Sequence, residues 1–359
     1  MTPDWLPRVA AFRARVYPDN RWGHDLAHLR WRFLDAPSDL PPLYLLAVRG
    51  DEILGQWAGL PDRLRAGDQE LPVTWMVDLV VAPEHRDTMA AAALFRAAGA
   101  TDRLLLAIGA TEAVLPFYGV FRWQRRAIAD TFYRVLRPGP AAALAGLPLE
   151  GARARLLPVA DHLLPWVHRA HARAGGEVEP LSVLGPEIDA LCEELRPRLG
   201  VHFDRGARWM RWKLEQRPCG HHRVLVLRHP GGRLRGLVVI KLRSRPGVAR
   251  WAELAELLVD PADGAAFDAL VDAGTQAALA AGADLVRLRC SLPAHTTRLR
   301  PPWWIRRVRS PIDDLFLSPS AEACAPLLAG AWHLTAAASD TVDTGLDEWE
   351  AAAPTAPPW

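Results

Sequence analysis

A chain of 359 residues that is 50% hydrophobic and 23% charged is long enough for two folded domains and too apolar to be intrinsically disordered. A net charge of only +2 at pH 7 excludes the strong positive field of a dedicated nucleic-acid-binding protein, and no apolar run is long enough to cross a bilayer. The four cysteines are too widely spaced for a metal site, so we expect reduced thiols in a cytoplasmic protein without a metal.

The first third of the chain alternates helical and strand patterns. Apolar residues recur at helical spacing in residues 5–16 and 25–33, which predicts two helices. Residues 43–48 and 53–59 have the composition of strands, and the Gly-containing turn between them predicts an antiparallel hairpin. Residues 71–75 lead from this hairpin into the next strand.

That next strand, residues 77–81, begins a strand–turn–helix unit. It ends before Pro83, residues 84–88 are polar, and the alanine-rich residues 89–98 predict a helix that closes at Gly99. A turn that enters a helix presents unpaired backbone N–H groups and the positive end of the helix dipole, and Arg86 adds a cation beside them. The unit therefore has the features of an anion-binding loop, although an ordinary strand-to-helix turn gives the same pattern.

This unit resembles the coenzyme-binding motif of the GNAT family of acyl-CoA N-acyltransferases, in which a strand ends in Val-x-Pro-x-x-Arg. Val81, Pro83 and Arg86 match that pattern, whereas a family glycine is replaced by Met89. The resemblance implies acetyl-CoA or another acyl-CoA as co-substrate, with its pyrophosphate on the loop. The implied coenzyme-binding residues are Leu79, Val80, Val81, Arg86, Asp87, Thr88, Met89, Ala90, Ala91 and Thr111.

The following strand, residues 104–108, leads to a second family feature. Family members carry an Asn about seven residues before a Tyr; here Thr111 replaces the Asn and Tyr118 matches the Tyr. The resemblance implies that the Tyr118 phenol protonates the leaving thiolate. A buried Tyr whose hydroxyl bonds to the backbone is the alternative.

The chain also repeats itself. Trp31 and Gly55 are 24 residues apart, as are Trp212 and Gly236, and residues 77–83 align with residues 255–261. We infer an internal duplication, with chance similarity of common patterns as the alternative. The second copy has no Arg after its strand, so we expect it to form a wall of the acceptor site rather than a coenzyme site.

Three acids are candidates for handling the acceptor amine. Asp78 lies within an apolar strand, where burial would raise its pKa and suit it to proton abstraction; the alternative is an ion pair with an arginine. Glu112 follows the next strand, and Glu256 lies on the equivalent strand of the second copy; both are candidate substrate-binding residues. The basic and aromatic residues 296–309 suit either an anionic ligand or, as we favour, the core of the second copy.

These patterns predict an α/β (α+β) protein of two tandem GNAT-like domains, each a mixed, mainly antiparallel sheet flanked by helices. We place the first domain at residues 1–140, a linker at 141–152, a degenerate second domain at 153–322 and a tail at 323–359 that packs through Trp332 and ends in disorder. The implied function is transfer of an acyl group to an amine of a small molecule or peptide. The alternatives are a non-catalytic binding protein of the same fold and a transferase that uses aminoacyl-tRNA.

Overall fold

The computed structural model describes residues 3–146, 151–170, 177–218, 222–307 and 314–338. Residues 147–150 of the predicted linker lie outside these ranges, as does the predicted disordered end of the tail.

The first part of the chain contains the predicted helices, hairpin and strands. Its elements are α1 (Leu6–Val16), α2 (Leu26–Phe33), β1 (Leu43–Arg49), β2 (Glu52–Ala66), β3 (Gln69–Val81), α3 (Ala90–Gly99), β4 (Leu104–Ile108), α4 (Leu115–Val120), β5 (Gln124–Arg126) and β6 (Asp130–Val135). β2 and β3 are longer than predicted because they continue into a second hairpin, whose turn uses a left-handed φ of +61° at Gly67.

The second part repeats this order after two helices. The elements are α5 (Pro138–Leu144), α6 (Gly151–Ala170), β7 (Val178–Pro180), α7 (Pro186–Leu195), β8 (Val201–Phe203), α8 (Ala207–Met210), β9 (His222–Arg228), β10 (Leu234–Arg245), β11 (Ala249–Val259), α9 (Gly264–Ala280), β12 (Leu285–Cys290), α10 (Pro293–Thr296), β13 (Ile305–Arg306), β14 (Leu315–Leu317), α11 (Ala325–Leu328) and β15 (Trp332–His333). β9 to β12 thus repeat the hairpin, strand, helix and strand of the first part. None of the described helices is both long and apolar enough to cross a membrane.

The strands form two mixed sheets. The first has the order β15-β8-β2-β3-β4-β14-β5, with β1 also paired to β2, and the second has the order β13-β6-β12-β11-β10-β9-β7. In each sheet the central pair is parallel, β3 with β4 and β11 with β12, and the strands before that pair form antiparallel hairpins. The predicted fold class is therefore confirmed.

The two halves exchange a strand. β6 leaves the first half and pairs with β12, while β14 leaves the second half and inserts between β4 and β5. An ion pair accompanies each exchange: Arg125 contacts Asp314 at 2.6 Å, and Arg306 contacts Asp130 at 2.8 Å. The predicted domain limits therefore separate the two halves of the sequence but not the two sheets, because each sheet contains strands from both halves.

Trp31 and Trp212 meet in a reciprocal contact. The indole Nε1 of Trp31 donates to the carbonyl oxygen of Trp212 at 2.8 Å, and the Nε1 of Trp212 donates to the carbonyl oxygen of Trp31 at 3.0 Å. Their rings stack with centroids 5.1 Å apart. Each tryptophan makes the same contact with the other, as expected when two copies of a unit are related by an approximate two-fold axis. The contact therefore supports the inferred duplication.

The start of the tail joins the two hydrophobic cores. Trp332, Leu334 and Ala338 pack in the core of the first sheet, whereas Ala336 and Ala337 pack in a core of the second half. β15 also pairs with β8 at the edge of the first sheet. Trp332 is thus buried at the seam between the halves.

Candidate active site

The central strands of the first sheet separate at one end. β3 and β4 pair in parallel only from Val73–Trp75 to Leu104–Leu106, and β3 continues to Val81 with no further pairing to β4 among the described residues. The edge of β3 that faces β4 therefore presents backbone groups without a strand partner over this length. The two strands open a V-shaped gap.

A bulge lies at the start of this gap. The register between β2 and β3 shifts between Gln56 and Ala58, and Asp78 on the opposite strand has a left-handed φ of +54°. Asp tolerates this conformation better than most residues, and the bulge redirects the strand that follows it. Leu79, Val80 and Val81 come directly after the bulge and are half-buried beside the gap.

β3 leads into the predicted anion-binding loop. A short 3-10 turn over Pro83–His85 is followed by α3, whose first turn is tied by a hydrogen bond of 3.3 Å from the Ala90 N–H to Thr88 Oγ1. Four further N–H groups around the helix start have no partner within the described residues, at Asp87, Met89, Ala91 and Ala92. Unpaired donors at a helix N-terminus suit an anion.

The side chains of this loop leave it open. Arg86, Asp87, Thr88 and Met89 are all exposed, and Arg86 forms no ion pair with any described residue. Met89 has a φ of −78° and a side chain directed to solvent, 70% exposed, so the backbone does not require glycine there. Met89 is therefore compatible with the conformation of this loop.

Tyr118 lies on α4 within an aromatic cluster. Its ring stacks on Phe316 of β14 at 4.1 Å between centroids and meets the edge of Phe95 at 5.3 Å. Burial raises the pKa of the phenol above its usual value of 10, and the hydroxyl has no hydrogen-bond partner within the described residues. The phenol therefore stays protonated with a free O–H to donate.

Thr111 and Glu112 occupy the turn between β4 and α4. The Thr111 carbonyl oxygen accepts hydrogen bonds from the N–H groups of Val114 at 2.9 Å and Leu115 at 3.3 Å, so it helps to start the helix that carries Tyr118. Both Thr111 and Glu112 are exposed. Because β3 and β4 are parallel, their following loops lie at the same edge of the sheet, which brings the residues of both turns together.

Asp78 is held by two arginines. Nη1 of Arg13 and Nη1 of Arg32 contact the same carboxylate oxygen at 2.9 and 2.7 Å, and both guanidinium groups are almost fully buried. Burial alone would raise the pKa of Asp78, but the attraction of Arg13 and Arg32 outweighs it and holds the pKa at about 2. This geometry matches the ion-pair interpretation and argues against Asp78 as the proton acceptor.

Glu256 is the equivalent residue of the second half and is also engaged. It is 1% exposed, and it accepts hydrogen bonds from Arg205 Nε at 3.1 Å and the Leu257 N–H at 3.0 Å, with His333 at 3.5 Å. Burial alone would raise its pKa, but the contacts with His333 and Arg205 outweigh burial and hold the pKa below its usual value, so the carboxylate stays ionised. The carboxylate is enclosed and already paired, which argues against the expectation that it contacts the acceptor amine.

At the equivalent loop of the second half, a side chain of the protein itself, Asp263, occupies the helix start. The carboxylate of Asp263 accepts a hydrogen bond from the Ala266 N–H at 3.0 Å at the start of α9 and pairs with both Nε and Nη2 of Arg235 at 2.7 and 2.9 Å. An acid at this helix start opposes a second anion. The geometry supports our expectation that only the first half offers a coenzyme site.

One possible metal cluster lies near the loop. Glu52, Glu84 and His85 come together among the described residues, with His85 Nε2 at 3.1 Å from Glu52. Arg15 contacts both glutamates, at 3.8 and 3.3 Å, and Arg49 contacts Glu52 at 2.9 Å. Because these arginines compensate the acids, we assign no metal here.

A cavity of about 310 Å³ lies at the seam of the two halves and was missed by the sequence analysis. Its lining comes from both halves: residues 37–39 and 61–63 of the first, and several residues between 189 and 212 of the second. Because these segments are far apart in the sequence, no local pattern predicts the cavity. Its acids outnumber its two arginines, Arg63 and Arg208. The acids are Asp39, Asp62, Asp189, Glu193 and Asp204.

Solved structures of GCN5-related N-acetyltransferases have the same fold as this chain. The chain is similar to a GCN5-related N-acetyltransferase from Anabaena variabilis ATCC 29413, with a TM-score of 0.58 and 13% identity over 88% of this chain and 70% of that one. It is similar to Saccharomyces cerevisiae N-myristoyltransferase with bound myristoyl-CoA, with a TM-score of 0.54 and 10% identity over 88% and 80%.

Eis1 from Mycobacterium abscessus gives a TM-score of 0.53 and 17% identity over 91% of this chain and 74% of that one. At these identities the likeness concerns the fold, and it extends over both halves of the chain. No protein-family model and no curated protein matches the sequence.

Proposed function

We propose that the protein is an acyl-CoA-dependent N-acyltransferase whose coenzyme site lies in the first half. One observation carries the proposal: the V-shaped gap opens at the sheet edge that also bears a helix start with unpaired N–H groups, Arg86 and the free phenol of Tyr118. The loop from Arg86 to Ala91 binds the pyrophosphate, and the gap between β3 and β4 receives the pantetheine chain.

The proposed reaction needs few groups from the protein. The nitrogen lone pair of the amine attacks the thioester carbonyl carbon, and unpaired N–H groups of β3 near Leu79 and Val81 stabilise the oxyanion. The carbon–sulfur bond then breaks, and Tyr118 gives its proton to the thiolate. The proton of the amine passes to water, because the carboxylate of Asp78 is bound by Arg13 and Arg32.

The seam cavity is the candidate site for the far end of the acceptor. Arginines pair with four of its five acids, so charge alone does not select the acceptor there. Asp62 lies on β2 five residues beyond Trp57, which is opposite the bulge. Five residues of extended strand span about 17 Å, so the seam cavity suits the far end of a long amine whose reactive nitrogen reaches the gap.

Calorimetric titration of CoA and acetyl-CoA into the purified protein tests the coenzyme site. Arg86→Glu removes the loop cation and is expected to weaken binding by about 10- to 100-fold, the usual effect of losing a charge-assisted hydrogen bond to phosphate. Arg96→Glu, at the other end of the same helix, is the matched control and should change affinity less than about twofold.

The outcome separates the proposal from its alternatives. Absence of saturable binding at millimolar coenzyme contradicts the acyl-CoA site and directs attention to a non-catalytic binding role. Binding without release of free thiol from acetyl-CoA, in the presence of mixed polyamines and basic peptides, also favours that role. A transferase that uses aminoacyl-tRNA gains no support from the net charge of +2.

A further inference from the structure

A cavity of about 400 Å³ lies in the second half, between α9 and residues 297–304. The apolar part of its wall consists of Phe267, Val271, Leu299, Trp303 and Trp304. Trp304 is 5% exposed and packs in the core of the second half, whereas Trp303 is half-buried. The basic and aromatic segment therefore does fill the core, as favoured from the sequence, and also encloses a space of the size that holds small ligands.

The charged part of the wall carries one cation in excess. Arg134 is buried and contacts Asp272 at 3.0 Å. Arg298 donates hydrogen bonds to both carboxylate oxygens of Asp268. Each of these two pairs therefore has no net charge. Arg300 is exposed at the rim, donates from Nε to the Thr297 carbonyl oxygen, and has no acidic partner in the part of the chain that the structure describes. The cavity thus has aromatic side chains in its wall, with the Arg134 guanidinium 6.0 and 5.9 Å from the Trp303 and Trp304 rings, and one net positive charge at its rim.

Both halves pack aromatic rings between the corresponding helices. In the first half, between α3 and α4, Phe95 stacks on Phe117 and on Phe121 with centroids 5.5 and 5.2 Å apart. In the second half, Phe267 of α9 stacks on His295 of α10 with centroids 4.6 Å apart, and the cavity lies beside this pair, between α9 and the segment after α10.

We propose that the cavity of the second half binds a flat aromatic monoanion, such as an aromatic carboxylate or sulfonate. Its rings contact the tryptophan-lined wall, and its charge pairs with Arg300, whose planar guanidinium suits a carboxylate or sulfonate. The site lies on the second sheet and makes no use of Arg86 or Tyr118. The proposed binding site can therefore be tested independently of the proposed acyl transfer.

The test uses 8-anilinonaphthalene-1-sulfonate, followed by its own fluorescence and by quenching of protein tryptophan. We expect one saturable site on the full-length protein. Val271→Phe fills the cavity and should lower the affinity for the probe at least about tenfold. Val183→Phe adds the same ring at an exposed position and should leave that affinity unchanged.

The charge is tested separately. Arg300→Gln should lower the affinity for the sulfonate probe by about five- to tenfold, whereas Arg233→Gln, at another exposed arginine, should not change it. Neutral N-phenyl-1-naphthylamine should bind more weakly than the sulfonate and be insensitive to Arg300→Gln. Arg86→Glu should leave both probes unaffected.

Two results would overturn the proposal. One is a folded protein, by circular dichroism, that shows no saturable probe binding. The other is probe binding that neither Val271→Phe nor Arg300→Gln changes. If Val271→Phe does not fold, the Arg300→Gln variant and the neutral probe decide the question.

Discussion

At the bulge, two buried guanidinium groups share one carboxylate. Asp78 compensates one of the two positive charges of Arg13 and Arg32, and it also fixes two helices, α1 and α2, to the central strand. Removing one partner of a buried ion pair leaves an uncompensated charge in a low-dielectric site. The cluster is a structural support for the gap between β3 and β4.

Asp78→Asn is therefore expected to lower the free energy of unfolding by about 3–5 kcal/mol, measured by urea denaturation. Glu84→Gln, at an exposed acid paired with Arg15, is the control and should cost less than about 1 kcal/mol. A change of less than about 1 kcal/mol for Asp78→Asn would show that the two arginines do not depend on this carboxylate.

The same carboxylate predicts a pH dependence. Its pKa in the folded protein is about 2, below the usual value of 3.8, so the folded state binds this proton less readily than the unfolded chain does. Its contribution to stability is complete above about pH 4 and is lost as the pH falls towards 2. Urea denaturation from pH 6 to pH 2 should show the stability difference between wild type and Asp78→Asn shrinking in this window, and a constant difference would contradict the ion pair.

Tyr118→Phe separates the hydroxyl from the ring. The variant keeps the stacking on Phe316, so thermal unfolding should be unchanged, while loss of the proton donor should lower kcat of acyl transfer by about 10²- to 10⁴-fold with little change in KM. Phe117→Leu, which alters the same cluster without a hydroxyl, is the control. Equal kcat values for Tyr118→Phe and wild type would remove the phenol from the mechanism.

At the scale of elements, the two strand–turn–helix units have the same shape and opposite charge. α3 begins with open N–H groups beside Arg86, whereas α9 begins with Asp263, which caps the helix and pairs with Arg235. The second unit pairs the Ala266 N–H of its own helix start with a carboxylate, whereas N–H groups at the start of the first helix have no partner among the described residues. One repeated fold thus offers one candidate site.

Asp263→Ala removes both the cap and the ion pair, so we expect the free energy of unfolding to fall by about 1–2 kcal/mol. Asp263→Asn keeps a capping oxygen and loses only the charge, and it should cost less. Neither variant should alter the coenzyme affinity measured by calorimetry. Stronger coenzyme binding by Asp263→Ala would reveal a latent site at α9.

At the scale of the whole molecule, the exchanged strands join the two halves. The first sheet takes β8, β14 and β15 from the second half, and the second sheet takes β6 from the first. The Trp31–Trp212 contact and the start of the tail add further links across the seam. A sheet that loses inner strands exposes unpaired edges.

Fragments 1–146 and 147–359 are therefore expected to lack cooperative unfolding when each is produced alone. Mixing them should restore one cooperative transition near that of the intact chain, because each supplies the missing strands of the other. Circular dichroism melts of each fragment and of the mixture check this. A cooperative melt of fragment 1–146 alone at the temperature of the intact chain would contradict the need for exchange.

The sequence predicted each element whose signal is local. The strand before Pro83, the helix-prone alanines after it and the hairpin turns all lie within short windows, where periodicity and turn chemistry act directly on the backbone. The resemblance also led to the loop at Arg86 and to Tyr118, because those residues follow one another along the chain.

The sequence by itself thus determined the order of elements, its recurrence in the second half and the strand–turn–helix unit at Arg86. Only the tertiary structure decided what the buried charges do. Asp78 meets Arg13 and Arg32 across 65 and 46 residues, and Glu256 meets Arg205 across 51, so no local pattern predicts these pairs or the low pKa that they produce. The strand exchange, the seam cavity and the cavity beside Trp304 likewise arise from packing between distant segments, which depends on the whole fold.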